Sequence, residues 1–263
     1  MILGPLVLGA VLWLPTPAFA LFLALVVLIG AWEWGGLVGI EATAARGAYV
    51  ALLAAGLVFF WLQPGWRPWM IAVGAGWWAA QTMILARVSR VELRQGLDWA
   101  GAAAGLLVLV APWVALVVLR EQGPAGPRLV LFLLLLIWIA DSVAYFVGRR
   151  WGRAKLAPVL SPGKTRAGVY GAMAAAAVGG VLLGYALSFG VPGTILAALA
   201  CAVTVVVSVV GDLYESLLKR RRGVKDSGQL LPGHGGFLDR IDSLTAAAPV
   251  FTLGILLFAV VTP

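Results

Sequence analysis

Apolar runs of membrane-spanning length recur along almost the whole of this 263-residue chain, and they constrain its fold more than any other feature. A helix needs about 20 consecutive apolar residues to cross a bilayer. Hydrophobic residues make up 62% of the sequence and charged residues only 11%, which is too little charge to cover a soluble domain of this size. The runs also lack the alternation of polar and apolar residues that a transmembrane barrel requires. We therefore expect an all-α, polytopic integral membrane protein with no separate soluble domain.

Nine transmembrane helices are predicted from these runs. The first two form a tight pair separated by Pro15 and Pro17, and because the first run is short for a full span, eight is the alternative count. A high content of Ala and Gly in residues 168–184 favours close packing between helices. The expected spans are residues 2–14, 18–38, 47–62, 69–86, 99–119, 129–148, 168–189, 194–213 and 244–261.

Three clusters of Lys and Arg predict the orientation of the chain in the membrane. They lie within residues 87–94, 149–166 and 219–225, and an even number of spans separates each cluster from the next. All three are therefore expected on one side, which the positive-inside rule makes the cytosolic side of a bacterial-type inner membrane. Nine spans then place the N-terminus in the cytosol and the C-terminus outside. The same rule accounts for the net charge of +8, so we expect no nucleic-acid partner.

A polar segment runs from Ser216 to Asp242 between two apolar runs and contains the only histidine of the chain. Ionisable groups next to membrane spans are costly to keep, which makes a functional site the first hypothesis for this segment. Just before and within it, four charged residues recur at helical spacing and share one helix face: Asp212, Glu215, Lys219 and Arg222. A solvated helix end is the alternative interpretation.

The end of this segment combines glycines with carboxylates. Gly235 and Gly236 follow His234 and allow backbone amides to approach phosphate oxygens, although an ordinary turn is the alternative. Asp239 and Asp242 lie three residues apart at the entrance to the last span, a spacing that suits one helix face. Mg²⁺ prefers hard oxygen ligands and typically binds through one or two carboxylates together with substrate phosphates. The nearby Lys and Arg side chains favour phosphate as the ligand.

This pattern resembles the C-terminal signature of the phosphatidate cytidylyltransferase (CDP-diacylglycerol synthase) family. Every fixed position of that signature is matched between Ser216 and Asp242. The preceding residues from Gly211 to Glu215 are also similar to the family's Gly-Asp-Leu-x-Glu. The matched positions of the signature are Ser216, Lys219, Arg220, Lys225, Asp226, His234, Gly235, Gly236, Asp239, Arg240 and Asp242.

A second block, upstream, is similar to the same family. It comprises Trp138, Asp141, Ser142, Ala144, Tyr145, Gly148 and Arg149, followed by Ser161, Pro162, Lys164 and Thr165. Family members usually continue with Trp-Glu-Gly, whereas this chain has Ala167 in place of the acid. Glu215 or Asp226 is the expected substitute for that missing side chain. Glu33, within Ala-Trp-Glu-Trp, also looks like an N-terminal family feature of low specificity.

The resemblance implies an Mg²⁺-dependent nucleotidyltransferase of phospholipid biosynthesis, which makes CDP-diacylglycerol and pyrophosphate from CTP and phosphatidate. Residues 1–134 would be N-terminal membrane helices and residues 135–263 the C-terminal catalytic region of one membrane unit. Asp212 and Asp239 would be the leading metal ligands, with Asp141, Asp226 and Asp242 as second candidates. Catalytic or phosphate-holding roles are implied for Lys219, Arg220, Lys225, Asp226 and His234, although His234 is equally well explained by a structural role. Substrate contacts are implied for Ser161, Lys164, Ser216, Gly235, Gly236 and Arg240.

Three other readings remain to be distinguished. A CDP-alcohol phosphatidyltransferase would need an Asp-x-x-Asp-Gly pattern that this sequence lacks. An ion-coupled transporter would place its carboxylates at the middle of the membrane, whereas these lie near span ends. A family member with an altered substrate is suggested by Ala167. The sequence leaves open whether a second, monovalent cation takes part and whether the chain forms a homodimer.

Overall fold

The structure is a computed structural model that describes residues 3–230 and 235–261. Side chains are described for residues 4–230 and 235–258. This part of the chain forms nine α-helices, as the apolar runs predict, and they pack into one bundle. The helices are α1 Leu3–Trp13, α2 Thr16–Leu37, α3 Thr43–Leu62, α4 Arg67–Leu85, α5 Trp99–Arg120, α6 Gly126–Trp151, α7 Arg166–Ala186, α8 Gly190–Arg221 and α9 Asp242–Val261.

Six of the described helices, α2, α3 and α5 to α8, are long and apolar enough to cross a membrane. The chain is therefore a multi-pass membrane protein by its helices, and a crossing by all nine stays a prediction. The predicted break between the first two helices is confirmed. Pro15 is the extended residue that precedes α2, and Pro17 occupies its first turn, where a missing N–H leaves no bond unmade.

A small β-hairpin departs from the all-α prediction. Strand β1, Lys155–Ala157, pairs antiparallel with strand β2, Ser161–Thr165, between α6 and α7. This short polar connection lies outside the apolar runs, and its backbone groups pair with each other in two strands. Leu160 at the turn is 1% exposed and anchors the hairpin, and the Thr165 hydroxyl accepts a hydrogen bond from the N–H of Gly168 at the start of α7. The chain is thus nearly, but not entirely, helical.

Helix α5 lies at the centre of the bundle and contacts α2, α3, α4, α6 and α9. Its residues from Val108 to Val117 are all buried, as expected for a helix that is apolar on every side. The close packing predicted for the Ala- and Gly-rich run is also present between α7 and α8. A Cβ atom on Gly180 would lie only 2.6 Å from the Cα of Ala198, so this contact requires glycine.

The connections at one end of the bundle bring the three basic clusters together. The N–H of Arg94 donates to the carbonyl of Arg221, and Lys164 pairs with Asp212 near the end of α8. At the other end, the buried Arg67 pairs with Glu121. The prediction that the clusters share one side is therefore consistent with the fold, while the assignment of that side to the cytosol stays a prediction.

Gly180→Ala should destabilise the protein, because the added methyl group overlaps the backbone of α8. We expect a loss of about 1–3 kcal/mol in the free energy of unfolding, the usual range for overpacking. The control is Gly76→Ala on α4, where nothing lies within 4 Å of the added Cβ. It should be neutral or stabilising by about 0.5–1 kcal/mol, because Ala favours helix. Thermal unfolding in detergent measures both, and equal melting temperatures would contradict the close α7–α8 contact.

Candidate active site

A cleft of about 630 Å³ opens between α1, α2 and α6 and ends at a group of carboxylates. Apolar side chains form most of its wall, among them Phe22 and Ile29 of α2 and Leu134 of α6. The polar end is lined by Asp141, Asp212, Asp239, Arg240 and Asp242. The cleft therefore has a long apolar part and a short charged part, which is the distribution that an amphipathic molecule requires.

The carboxylates reach this end from four different elements. Asp141 lies on α6, Asp212 on α8 and Asp242 at the first residue of α9, whereas Asp239 lies in the 3₁₀ turn Leu238–Arg240. Helices α8 and α9 approach closely at this point, since a Cβ on Gly211 would lie 2.5 Å from the carbonyl oxygen of Asp242. The glycine that precedes Asp212 thus allows the start of α9 to pack against it.

Asp212 is held by the β-hairpin. The Lys164 ammonium group, on β2, lies 2.6 Å from Asp212 Oδ2, and the Ser216 hydroxyl donates to Asp212 Oδ1 at 3.3 Å. Both side chains of the ion pair are partly exposed, at 25% and 31%. The predicted substrate residue Lys164 and the predicted metal ligand Asp212 are therefore brought into direct contact.

Lys219 forms a second pairing, deeper in the protein. Its ammonium group lies 3.2 Å from Glu215 Oε1 and 2.5 Å from Asp239 Oδ1. The side chains of all three residues are at most 12% exposed. A buried carboxylate is costly unless it is paired and hydrogen-bonded, so one lysine supports two acids here.

Asp239 is the most completely engaged carboxylate of the site. Its Oδ2 atom accepts hydrogen bonds from the N–H and hydroxyl groups of Ser227 and from the N–H of Gly236, at 2.8–3.1 Å. Burial raises the pKa of Asp239, but hydrogen bonds involving Glu215, Lys219, Ser227 and Gly236 outweigh burial and hold the pKa well below its ordinary value. The group is therefore a firmly ionised anion.

The carboxylates suit Mg²⁺ by their chemistry, but they do not form a complete metal cage. Within residues 3–230 and 235–261, no three acidic, histidine or cysteine side chains lie close enough to hold a metal ion together. Asp212 and Asp239 are each neutralised by a lysine. Mg²⁺ usually takes only one or two carboxylates and completes its shell with substrate phosphates and water, so this donor set fits an ion that arrives with a substrate.

The other predicted residues lie at the end of α8, in the loop that follows it and on β2. Arg220, Lys225 and Asp226 are exposed there, and Arg220 reaches the carbonyl of Val224 at 3.5 Å. Ser161 is half-buried at the start of β2. His234 lies outside the described residues, so its role stays a prediction.

Gly235 has a backbone φ of +79°, a conformation that favours glycine. A Cβ there would also lie 3.0 Å from Asp239 Oδ2 and 3.3 Å from Asp226 Cβ. The glycine therefore keeps the loop close to the Asp239 carboxylate. Glu215 pairs with Lys219, and the acid that replaces the one missing at Ala167 stays a prediction.

Two residues behave differently from the sequence interpretation. Arg222, on the shared charged face of α8, donates to the carbonyls of Leu37 and Arg94 at 2.8 and 3.1 Å, and so ties neighbouring loops to the end of α8. Glu33 on α2 has no catalytic role in the sequence reasoning, yet it is 4% exposed and contacts the loop that carries Asp239. The signal for it was a carboxylate within a long apolar run.

Comparison with known proteins adds family membership to this geometry. The model of the cytidylyltransferase family matches residues 1–258. A phosphatidate cytidylyltransferase from Pseudomonas aeruginosa is 42% identical, over 95% of this chain and 92% of the relative. A protein of the same name from Haemophilus influenzae is 34% identical, over 92% of this chain and 91% of the relative. Another from Brucella abortus is 39% identical, over 87% of this chain and 73% of the relative. The match to the family model includes α1 to α5, which the C-terminal signature does not cover.

Lys219→Met should destabilise the protein strongly, because it leaves Glu215 and Asp239 without their buried cation. We expect a loss of about 3–5 kcal/mol in the free energy of unfolding. Lys219→Met combined with Asp239→Asn should recover part of this loss, since the uncompensated charge of Asp239 is removed. Lys155→Met makes the same chemical change at an exposed position and should alter stability by no more than about 0.5 kcal/mol. Thermal unfolding of the four proteins tests the pairing, which equal losses at 219 and 155 would refute.

Proposed function

Because the chain belongs to the cytidylyltransferase family, we propose that it transfers the cytidylyl group of CTP to phosphatidate, releasing pyrophosphate and forming CDP-diacylglycerol. The observation that carries this proposal is the cleft, which is apolar along three helices and charged at one end. Phosphatidate has the same division, with two acyl chains and a phosphate head group. The product is an intermediate of phospholipid biosynthesis.

The apolar part of the cleft holds the acyl chains and the charged end holds the lipid phosphate. Side chains of α1, α2 and α6 line the apolar part, and Arg240 lies at the charged end next to the carboxylates. Arg240 and the exposed Arg220 and Lys225 supply positive charge for the phosphates of the two substrates. Ser161 and Gly235 would offer further hydrogen-bond donors, whereas Ser216 and Gly236 already donate to Asp212 and Asp239.

The reaction is an in-line displacement at phosphorus. An oxygen of the lipid phosphate attacks the α-phosphorus of CTP, a new P–O bond forms, and the bond to the pyrophosphate oxygen breaks. A phosphomonoester has a second pKa of about 6, so the nucleophile is already largely ionised near neutral pH and needs no strong general base. Catalysis then rests on bringing polyanions together and on stabilising the charge of the leaving group.

The lysines have two sets of partners in this proposal. Lys164 and Lys219 neutralise Asp212 and Asp239 when no substrate is bound. Substrate phosphates compete for both ammonium groups, and the released carboxylates become available to Mg²⁺. Asp212 and Asp239 would hold the ion, with Asp141 and Asp242 beside them, and Mg²⁺ would offset charge on the reacting phosphates.

The charged end of the cleft faces the cytosol in this proposal. It lies at the end of the bundle where the basic clusters are found, and basic loops are retained in the cytosol. CTP is present on that side, while the acyl chains remain at membrane depth. We place the protein in the inner membrane on the same grounds.

The reaction is tested directly with purified protein in detergent. It should form CDP-diacylglycerol from CTP and phosphatidate only when a divalent cation is added. Asp239→Ala should lower the rate roughly tenfold or more, equivalent to about 1.4 kcal/mol of transition-state stabilisation. Glu92→Ala removes an exposed acid and should leave the rate unchanged. A loss below tenfold at Asp239 would refute its role as a metal ligand, and no transfer by folded wild-type protein would favour a different substrate.

The proposed lipid cleft, which is the cleft between α1, α2 and α6, is tested by placing a larger side chain in its wall. Ile29→Trp should raise the KM for phosphatidate about tenfold, which corresponds to about 1.4 kcal/mol of lost binding, and should leave the KM for CTP unchanged. Leu52→Trp on α3 is the control, because this side chain is 56% exposed and does not line the cleft. Steady-state kinetics with phosphatidate in mixed micelles measures both constants. An equal rise in the two KM values would argue against acyl chains in this cleft.

A further inference from the structure

Glu33 is a carboxylate in the last turns of α2, and the reaction proposed above makes no use of it. Its side chain belongs to a residue only 4% exposed, and the rest of α2 before it is uncharged. A carboxylate at such a position is costly to bury unless it forms several hydrogen bonds. The groups that bond to it therefore indicate why it is there.

All the described hydrogen bonds of Glu33 go to the polar loop between α8 and α9. Its Oε1 atom accepts from the N–H of Phe237 at 2.9 Å. Its Oε2 atom accepts from the N–H of Leu238 at 2.7 Å and from the hydroxyl of Ser227 at 3.0 Å. A carboxylate is thus inserted between two parts of one loop, and it offers acceptors to both.

Two glycines make room for this carboxylate. A Cβ on Gly228 would lie 2.8 Å from Glu33 Cδ, and a Cβ on Gly236 would lie 2.7 Å from Glu33 Oε2. Any larger residue at either position would push the carboxylate out. The loop is therefore shaped around Glu33, although Glu33 is about 200 residues away in the sequence, as the separation of 204 in its bond to Phe237 shows.

Ser227 connects Glu33 to Asp239. The Ser227 hydroxyl lies 3.0 Å from Glu33 Oε2 and 3.1 Å from Asp239 Oδ2. It has one proton and donates to one carboxylate at a time. Asp239 and Arg240 directly follow Leu238, whose N–H is bound by Glu33. Holding that amide therefore restricts where Asp239 and Arg240 can lie.

We propose that Glu33 is a positioning residue that fixes the loop carrying Asp239 and Arg240 relative to the lipid cleft. Helix α2 makes this possible because it lines the cleft with Phe22, Val26 and Ile29 and presents Glu33 one turn after Ile29. One helix thus contacts both the proposed acyl-chain site and the loop that carries Asp239 and Arg240. The kinetic part of this inference rests on the proposed function.

The contact itself is tested by amide hydrogen exchange, which needs no activity. Glu33→Gln keeps the size of the side chain but turns one acceptor into a donor, so at least one of the three hydrogen bonds is lost. Exchange in peptides that contain Phe237 and Leu238 should become at least tenfold faster. Glu41→Gln is the control, an exposed change of the same kind just beyond α2, and its exchange should match the wild type.

Kinetics then separate positioning from simple support of the fold. Glu33→Gln should lower kcat at least tenfold, while the KM for phosphatidate stays within about threefold because the apolar wall is intact. Glu41→Gln should leave both constants unchanged. Glu33→Asp keeps the charge at a shorter reach, and kcat should recover partly relative to Glu33→Gln.

The outcomes distinguish a positioning role for Glu33 from simple support of the fold. Faster exchange together with a lower kcat, at an unchanged melting temperature, supports the proposal. Unchanged exchange, or faster exchange with a normal kcat, overturns it. If wild-type protein transfers no cytidylyl group, the proposed function fails, and the exchange result still decides whether Glu33 holds the loop.

Discussion

The polar end of this protein depends on the pairing of carboxylates that have been placed next to a membrane. An isolated carboxylate in such surroundings is costly, and lysines from other parts of the chain offset that cost. Lys164 reaches Asp212 from the hairpin, and Lys219 lies between Glu215 and Asp239. Because the Lys164–Asp212 and Lys219–Asp239 pairs join different elements, these contacts also hold the hairpin, α8 and the loop that carries Asp239 together.

These pairs also neutralise the acids within the protein itself. Phosphate groups and carboxylates bind the same kind of ammonium group, so a phosphate that takes a lysine leaves a carboxylate in need of another cation. Asp239 is further anchored by the N–H groups of Ser227 and Gly236. Asp239 is thus held by more groups than the partly exposed Asp212.

Much of the fold was predictable because it follows from local patterns. The nine helices appear where the apolar runs lie, and the break at Pro15 follows from the missing N–H and fixed φ of proline. The candidate site residues were proposed from the resemblance to a family signature, and five of those that the structure describes line one cleft: Asp141, Asp212, Asp239, Arg240 and Asp242. The hairpin was missed because its pairing depends on a short polar connection. Glu33 was named only as a family feature of low specificity, and its contacts were not predicted because its partners are distant in the chain.

The sequence alone determined that the chain is a helical membrane protein with its charges concentrated in a few connections, because hydropathy and spacing are local properties. It also carried the family signature, since the matched residues recur at set intervals. Tertiary structure decided which carboxylate meets which lysine, that α2 contacts both the cleft and the loop that carries Asp239, and that glycines 211, 228 and 236 lie at close contacts. Such features depend on distances between residues far apart in the chain, and these arise only when the helices pack.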